Sequence, residues 1–140
     1  MDKRFWISGV VMTIATMLLG WVVHGFLLAG EYIPLTGTIM RTPEESGQYM
    51  YWMLLADVCI GFAMTWIYRQ GIDSGKGMLG QGLRFGVAVA LLTVIPQFLI
   101  YYTVQRLPAS LVHKQLIFDS LRMIVLGVLV AYLNPRSRTS

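Results

Sequence analysis

Residues 115–133 read QLIFDSLRMIVLGVLVAYL, a stretch in which only Asp119 and Arg122 carry charge. Wound as a helix it would be about 28 Å long at 1.5 Å per residue, close to the roughly 30 Å of hydrocarbon in a bilayer. Three further apolar runs of similar length lie at Phe5–Leu28, Tyr49–Tyr68 and Leu83–Val104. No water reaches the backbone at that depth, so each run must satisfy its own amide and carbonyl groups as a helix. The expectation is an all-α integral membrane protein, an antiparallel bundle of four transmembrane helices forming a single membrane domain over 1–140. The helices are expected at about 5–28, 43–69, 83–105 and 108–133.

Composition agrees. Hydrophobic residues make up 56% of the chain and charged residues 13%, against about 45–50% and 25% in a typical soluble domain. With a mean hydropathy of +0.61, there is too little polar side chain to coat a globule. A disordered chain, a disulfide scaffold and an ordinary cytosolic enzyme are thereby excluded. The single cysteine, Cys59, permits neither an intrachain disulfide nor a CxxC site and reads as a packing residue. Net charge is +4 and pI about 9.5. The cations flank the apolar runs, so they point to lipid headgroups and chain orientation rather than to nucleic acid.

Lys3 and Arg4 before the first run resemble the start of a signal peptide. That run, however, exceeds the usual 7–15 residue apolar core of a signal and carries Trp6 and Trp21 near its ends, as interface anchors would; it is expected to be a retained helix. Lys3, Arg4, Arg69, Lys76, Arg84, Arg136 and Arg138 fall on one side of the four spans, and Arg41, Arg106 and Lys114 on the other. The excess places both termini in the cytoplasm. Between spans, Thr42-Pro43-Glu44-Glu45 has the form of a helix start, with a capping threonine, proline at the first position and glutamate closing a capping box. The second helix should therefore begin before the membrane. Leu107-Pro108 marks a similar entry to the fourth, and residues 71–82 form a glycine-rich inside loop, the one candidate hinge. Gly75-Lys76-Gly77-Met78-Leu79-Gly80 has the GxGxxG spacing of a dinucleotide loop but lacks the preceding strand, so nucleotide binding is rejected. Gly82 and Gly86 form a small-xxx-small pair for close helix approach, and Gly127 with Ala131 offers a second face on which another helix can dock.

The residues out of place in lipid are Asp57, Gln97, Asp119 and Arg122, with His24 near the end of the first span. A charge at the helix centre costs about 2.5–3.5 kcal/mol on insertion scales, so such groups face a partner or water. Counted from the outer end, His24 lies about 5–6 Å in, Asp119 about 6–8 Å, and Asp57, Gln97 and Arg122 about 10–12 Å. All four helices thus place polar groups in the same outer half. Helical spacing turns them inward: Gly9, Thr13, Thr16, Gly20 and His24 form one stripe, and Thr93, Gln97 and Tyr101 a second. Asp57, Gly61 and Thr65 form a third, and Gln115, Asp119 and Arg122 a fourth. Asp57, Asp119 and Arg122 sum to −1, so either one carboxyl is protonated or His24 is cationic. Arg122 is expected to bridge Asp57 and Asp119, with Gln97 and Tyr101 supplying hydrogen bonds; a network that only fixes helix register is the plainer alternative. Pro96 strips the Leu92 carbonyl of its donor and should kink the third helix beside the cluster. His24 and His113 are the only histidines and lack companions at metal-ligand spacing, so no metal and no cofactor are expected.

The order of these features resembles a bacterial four-helix inner-membrane family known only as a domain of unknown function. The resemblance is carried by Gly20-Trp21-Val22-Val23-His24-Gly25-Phe26, by Gly80-Gln81-Gly82-Leu83-Arg84-Phe85-Gly86, and by the polar patch Gln115–Arg122. Trp21 is followed here by Val22-Val23-His24, where that family is expected to show aromatic-Ser-Pro. The resemblance implies a multi-pass fold in a bacterial inner membrane and no activity. No nucleophile with a base, metal motif or cofactor loop is present, so a non-enzymatic accessory or interaction protein is expected. Its partners would be the lipid bilayer and other membrane subunits or a second copy of itself. The alternative is a small proton-coupled transporter or carrier, dimeric, using Asp57, Asp119 and Arg122.

Overall fold

The computed structural model describes residues 1–135 and is all-helical; Arg136 and Arg138, counted above for orientation, lie outside the described residues. Helix α1 spans Lys3–Gly20 and runs into a π-helical turn over Trp21–Leu27. A short α2 (Ala29–Tyr32), a 3-10 turn (Ile33–Leu35) and a short α3 (Pro43–Gly47) then lead to α4 (Met50–Gln70). The remaining helices are α5 (Met78–Leu92), α6 (Val94–Val104) and α7 (Ala109–Leu133). Four helical stretches are long and apolar enough to cross a membrane: Lys3–Leu27, Met50–Gln70, Met78–Val104 and Ala109–Leu133. Among the described residues the one β-bridge joins Thr36 to Met40, around Gly37 at φ 80°.

The ends of these helices follow from local chemistry. Asp2 caps α1 by accepting from the Phe5 amide at 2.9 Å. Its carboxylate is also gripped by both Nη atoms of Arg69, at 2.7 and 2.8 Å, which fastens the start of α1 to the end of α4. At Thr42 both arms of a capping box are made. The helix it opens closes at Gly47, and α4 restarts at Met50, where one continuous helix over 43–69 was expected. The third stretch breaks at Thr93, with φ −113° and ψ −62°. Pro96, three residues on, has no N–H for the Leu92 carbonyl and its ring crowds that turn, so the helix changes direction there.

Packing concentrates in two pairs, α1 with α4 and α5 with α7, which meet mainly where α1 lies against α7. Glycine sets how closely each pair approaches. A Cβ on Gly61 would lie 2.5 Å from the Thr13 amide nitrogen of α1, and one on Gly86 would lie 2.5 Å from Ile124 Cα of α7. Lipid gives apolar side chains no reason to hide from it, so close backbone contact of this kind is a main source of helix association in a membrane. Gly127 faces Gly82 and Gly86, and Ala131 is fully buried. The Gly127–Ala131 face is therefore already used within the chain, contrary to the expectation that it docks another helix. A first core gathers Met12, Met64, Leu126 and Val130, and a second gathers Val23, Leu28, Leu35 and Leu111 under the α2 segment. Outside these cores, large apolar side chains such as Phe26 and Leu92 stand more than two-thirds exposed, an arrangement suited to lipid rather than to water.

Candidate functional site

The second core places the site. It folds the segment after the π turn back over α7, so that Tyr32 reaches two side chains from different helices. The Tyr32 hydroxyl lies 2.6 Å from His24 Nδ1 and accepts from Gln115 Nε2 at 3.1 Å. Burial, with the Asp119 charge nearby, pushes the Tyr32 phenol above its ordinary value, so it keeps its proton. Toward His24 Nδ1 the hydroxyl can donate that proton to a neutral ring or accept from a protonated one, since its oxygen has two lone pairs and Gln115 uses one. In either case His24 Nε2 carries a proton and donates to Asp119, at 3.2 Å from Oδ1 and 3.1 Å from Oδ2. Donor and acceptor roles run consistently along the chain Gln115, Tyr32, His24, Asp119 with the imidazole neutral or protonated. Lys114 pairs with Glu31 beside it, tying α2 to the start of α7.

Arg122 stands one turn below Asp119 on α7. Its Nη1 lies 3.4 Å from Asp119 Oδ1, and its Nη2 donates to the Thr16 carbonyl of α1 at 2.8 Å and lies 3.7 Å from Asp57 Oδ1. Gly20 gives the guanidinium its passage across α1, since a Cβ there would sit 2.9 Å from Nη2. The guanidinium thus lies between the two carboxylates, as the charge pattern led us to expect. The two are unequally served. Asp119 is 3% exposed with two partners, whereas Asp57 makes only the long ion pair and accepts no hydrogen bond among the described residues.

Gln97 and Tyr101 do not supply the hydrogen bonds assigned to them. The Gln97 amide is 3.5 Å from the Tyr101 hydroxyl, and among the described residues neither bonds to Asp57, Asp119 or Arg122. Thr93 spends its hydroxyl on the Val89 carbonyl one turn back. Beyond the break at Thr93, α6 still packs on α7 but leaves a gap between Gln97 and the ion network. Gln97 instead lines a small cavity of about 230 Å³ with His24, Asp119 and Arg122. His113 is exposed and apart from the network. No three His, Cys, Asp or Glu side chains gather in a metal-holding group among the described residues.

A larger cleft opens where α4 and α6 stand apart. Its volume is about 970 Å³, and its apolar walls include Trp21, Met53, Leu54 and Phe98. Its polar floor is the network itself: His24, Tyr32, Asp57, Gln115 and Arg122 all line it. Tyr32 lies outside every polar stripe read from the sequence; Thr16 and Gly20 were placed on the first stripe, but their parts here, a backbone acceptor for Arg122 and room for its guanidinium, are ones that side-chain type does not signal. Comparison with family models, with curated proteins and with solved structures finds no match to the chain.

Proposed function

We propose that the protein is a small non-enzymatic membrane protein that binds an amphipathic molecule in the cleft between α4 and α6, taken from the surrounding lipid. In this reading the four helices form two antiparallel hairpins, the termini face the cytoplasm of a bacterial inner membrane, and the chain belongs to the four-helix family it resembles. The observation that carries the reading is the cleft, about 970 Å³. Pockets for small molecules commonly measure about 300–1,000 Å³, mostly apolar with a few convergent polar groups. The network has a second use, holding α1, α4 and α7 in one register beneath the cleft. Native mass spectrometry of protein released from lipid nanodiscs tests the reading. The wild type is expected to retain a bound amphiphile, and Ala56→Trp, which fills the cleft wall, to lose it. Equal retention by both, or none by either, would sink the idea.

A second reading is favoured by seven consecutive residues, Tyr49 to Leu55, each at least 42% exposed. So long an unpacked stretch suits a helix from another membrane subunit or a second copy, laid into the same gap. Particle mass in nanodiscs separates the two readings, since a monomer retaining an amphiphile supports the first and a dimer with none supports the second.

A further inference from the structure

We propose that the cleft takes a lipophilic monocation, a protonated amine carrying an aromatic or alkyl body. This rests on the reading of the cleft as a binding site and specifies the ligand. The charge account comes first. Asp57, Asp119 and Arg122 sum to −1, and His24, the remaining titratable side chain of the network, lies against Asp119 and Tyr32 and not against Asp57. In surroundings of low dielectric an uncompensated charge is costly, so the floor of the cleft favours a positive guest.

The surplus is localised at Asp57. Asp119 is covered by His24 and Arg122, while Asp57 has its one cation at 3.7 Å, lines the cleft and accepts no hydrogen bond among the described residues. A second acceptor waits on the same floor. Gln115 is 7% exposed and lines the cleft; its Nε2 is used by Tyr32, and its Oε1 has no donor. A buried acceptor without a donor is costly, so a guest whose N–H groups reach it is favoured. An ammonium head carries the charge that Asp57 calls for and N–H groups of the kind that Gln115 Oε1 lacks.

The walls suit the same guest. Trp21, Tyr51, Phe98 and Tyr101 line the cleft, and aromatic faces attract cations more strongly where water is excluded. Met17, Met50 and Met53 supply flexible, polarisable surface that adapts to bodies of different shape. An anion is the competing guest, because Arg122 lines the cleft and its Nε lacks an acceptor. That guanidinium already serves two carboxylates and a carbonyl, and an anion would raise the cluster to −2.

The test uses three fluorescent probes with one aromatic body: 1-pyrenemethylammonium, neutral 1-pyrenemethanol and anionic 1-pyrenecarboxylate. Binding to the full chain in nanodiscs is read as energy transfer from tryptophan, with empty nanodiscs subtracted. The ammonium is expected to bind at least about tenfold more tightly than the alcohol, and the carboxylate most weakly. Asp57→Asn should bring the ammonium to the level of the alcohol without changing the alcohol. Tyr101→Leu, at a half-exposed wall position outside the ion network, should weaken the ammonium severalfold more than the alcohol. Equal binding of ammonium and alcohol, tighter binding of the carboxylate, or an Asp57→Asn protein that still prefers the ammonium would overturn the assignment. In those cases, saturable alcohol binding that Ala56→Trp abolishes leaves the cleft reading standing; absence of saturable binding by any probe overturns both.

Discussion

Replacing Arg122 with methionine tests the ion network most directly, because the structure fixes both what is lost and what restores it. The side chain is 11% exposed and lies between Asp119, at 4% side-chain exposure, and Asp57, at 14%. Arg122→Met keeps an unbranched apolar stem, strips the Thr16 carbonyl of its donor and takes the cluster from −1 to −2. Removing one partner of a buried pair costs about 3–5 kcal/mol, mostly from the charge left behind. At 3.7 Å and an effective dielectric of about 20, the Arg122–Asp57 attraction alone is about 4–5 kcal/mol before desolvation is subtracted. Adding Asp57→Asn to Arg122→Met returns the cluster to −1, with Asp119 still served by His24. The double variant is therefore expected to be more stable than Arg122→Met alone, with a coupling energy of about 1–3 kcal/mol. Reversible unfolding from mixed micelles by a denaturing detergent, followed by tryptophan fluorescence and circular dichroism, measures all four corners of the cycle. Strict additivity, or an Arg122→Met protein within about 0.5 kcal/mol of wild type, would refute the claim that this guanidinium neutralises both carboxylates.

Other substitutions probe separate links. Gly86→Val drives a branched side chain into the Ile124 backbone and should cost about 1–3 kcal/mol in the same unfolding assay, whereas Gly80→Ala, with open space around it, should cost nothing. Tyr32→Phe removes the hydroxyl shared by His24 and Gln115, and a loss of about 1–3 kcal/mol is expected in the same unfolding assay; a variant as stable as wild type would refute the contribution. The Arg69 guanidinium holds the exposed Asp2 carboxyl well below the usual carboxylate range. The stability it adds is thus present above the unfolded value near 3.9 and is lost as pH falls through the lower folded value. Asp2→Asn should flatten that part of an acid melting profile, and an unchanged profile would refute the contribution. Cysteines placed at Gly75 and at Thr38 in a Cys59→Ala background test orientation. An impermeant maleimide should label Thr38→Cys on intact cells and Gly75→Cys only after permeabilisation, and the reverse pattern would invert the proposed topology.

What the sequence made legible was height, and what it left out was rotation. Span length and depth follow from counting residues along helices of known rise, a count that tertiary contacts do not alter. His24 and Asp119 were placed at nearly equal depth, and their side chains meet at 3.1 Å. Asp57 and Arg122 were placed together deeper, and they lie 3.7 Å apart. Gln97 was placed at that same depth and does not join them. Rotation about the helix axis depends on an unbroken 3.6-residue period, and two breaks upset it. Pro96 announces the first, though not the direction in which α6 turns. Nothing in Trp21–Leu27 announces the π turn, whose i to i+5 bond from Leu28 to Val23 inserts a residue and rotates everything beyond it. Tyr32 lies past that turn, in a connection with no period at all. Its reach to His24 and Gln115 is set by Leu28 and Leu35 burying themselves against Leu111, nearly eighty residues later. The same two breaks shape the cleft, since the π turn carries Trp21, His24 and Gly25 into its wall and the kinked α6 stands off from α4. Residues that interrupt the helical period thus open a cleft onto the ion-pair network that the regular stretches of helix hold together.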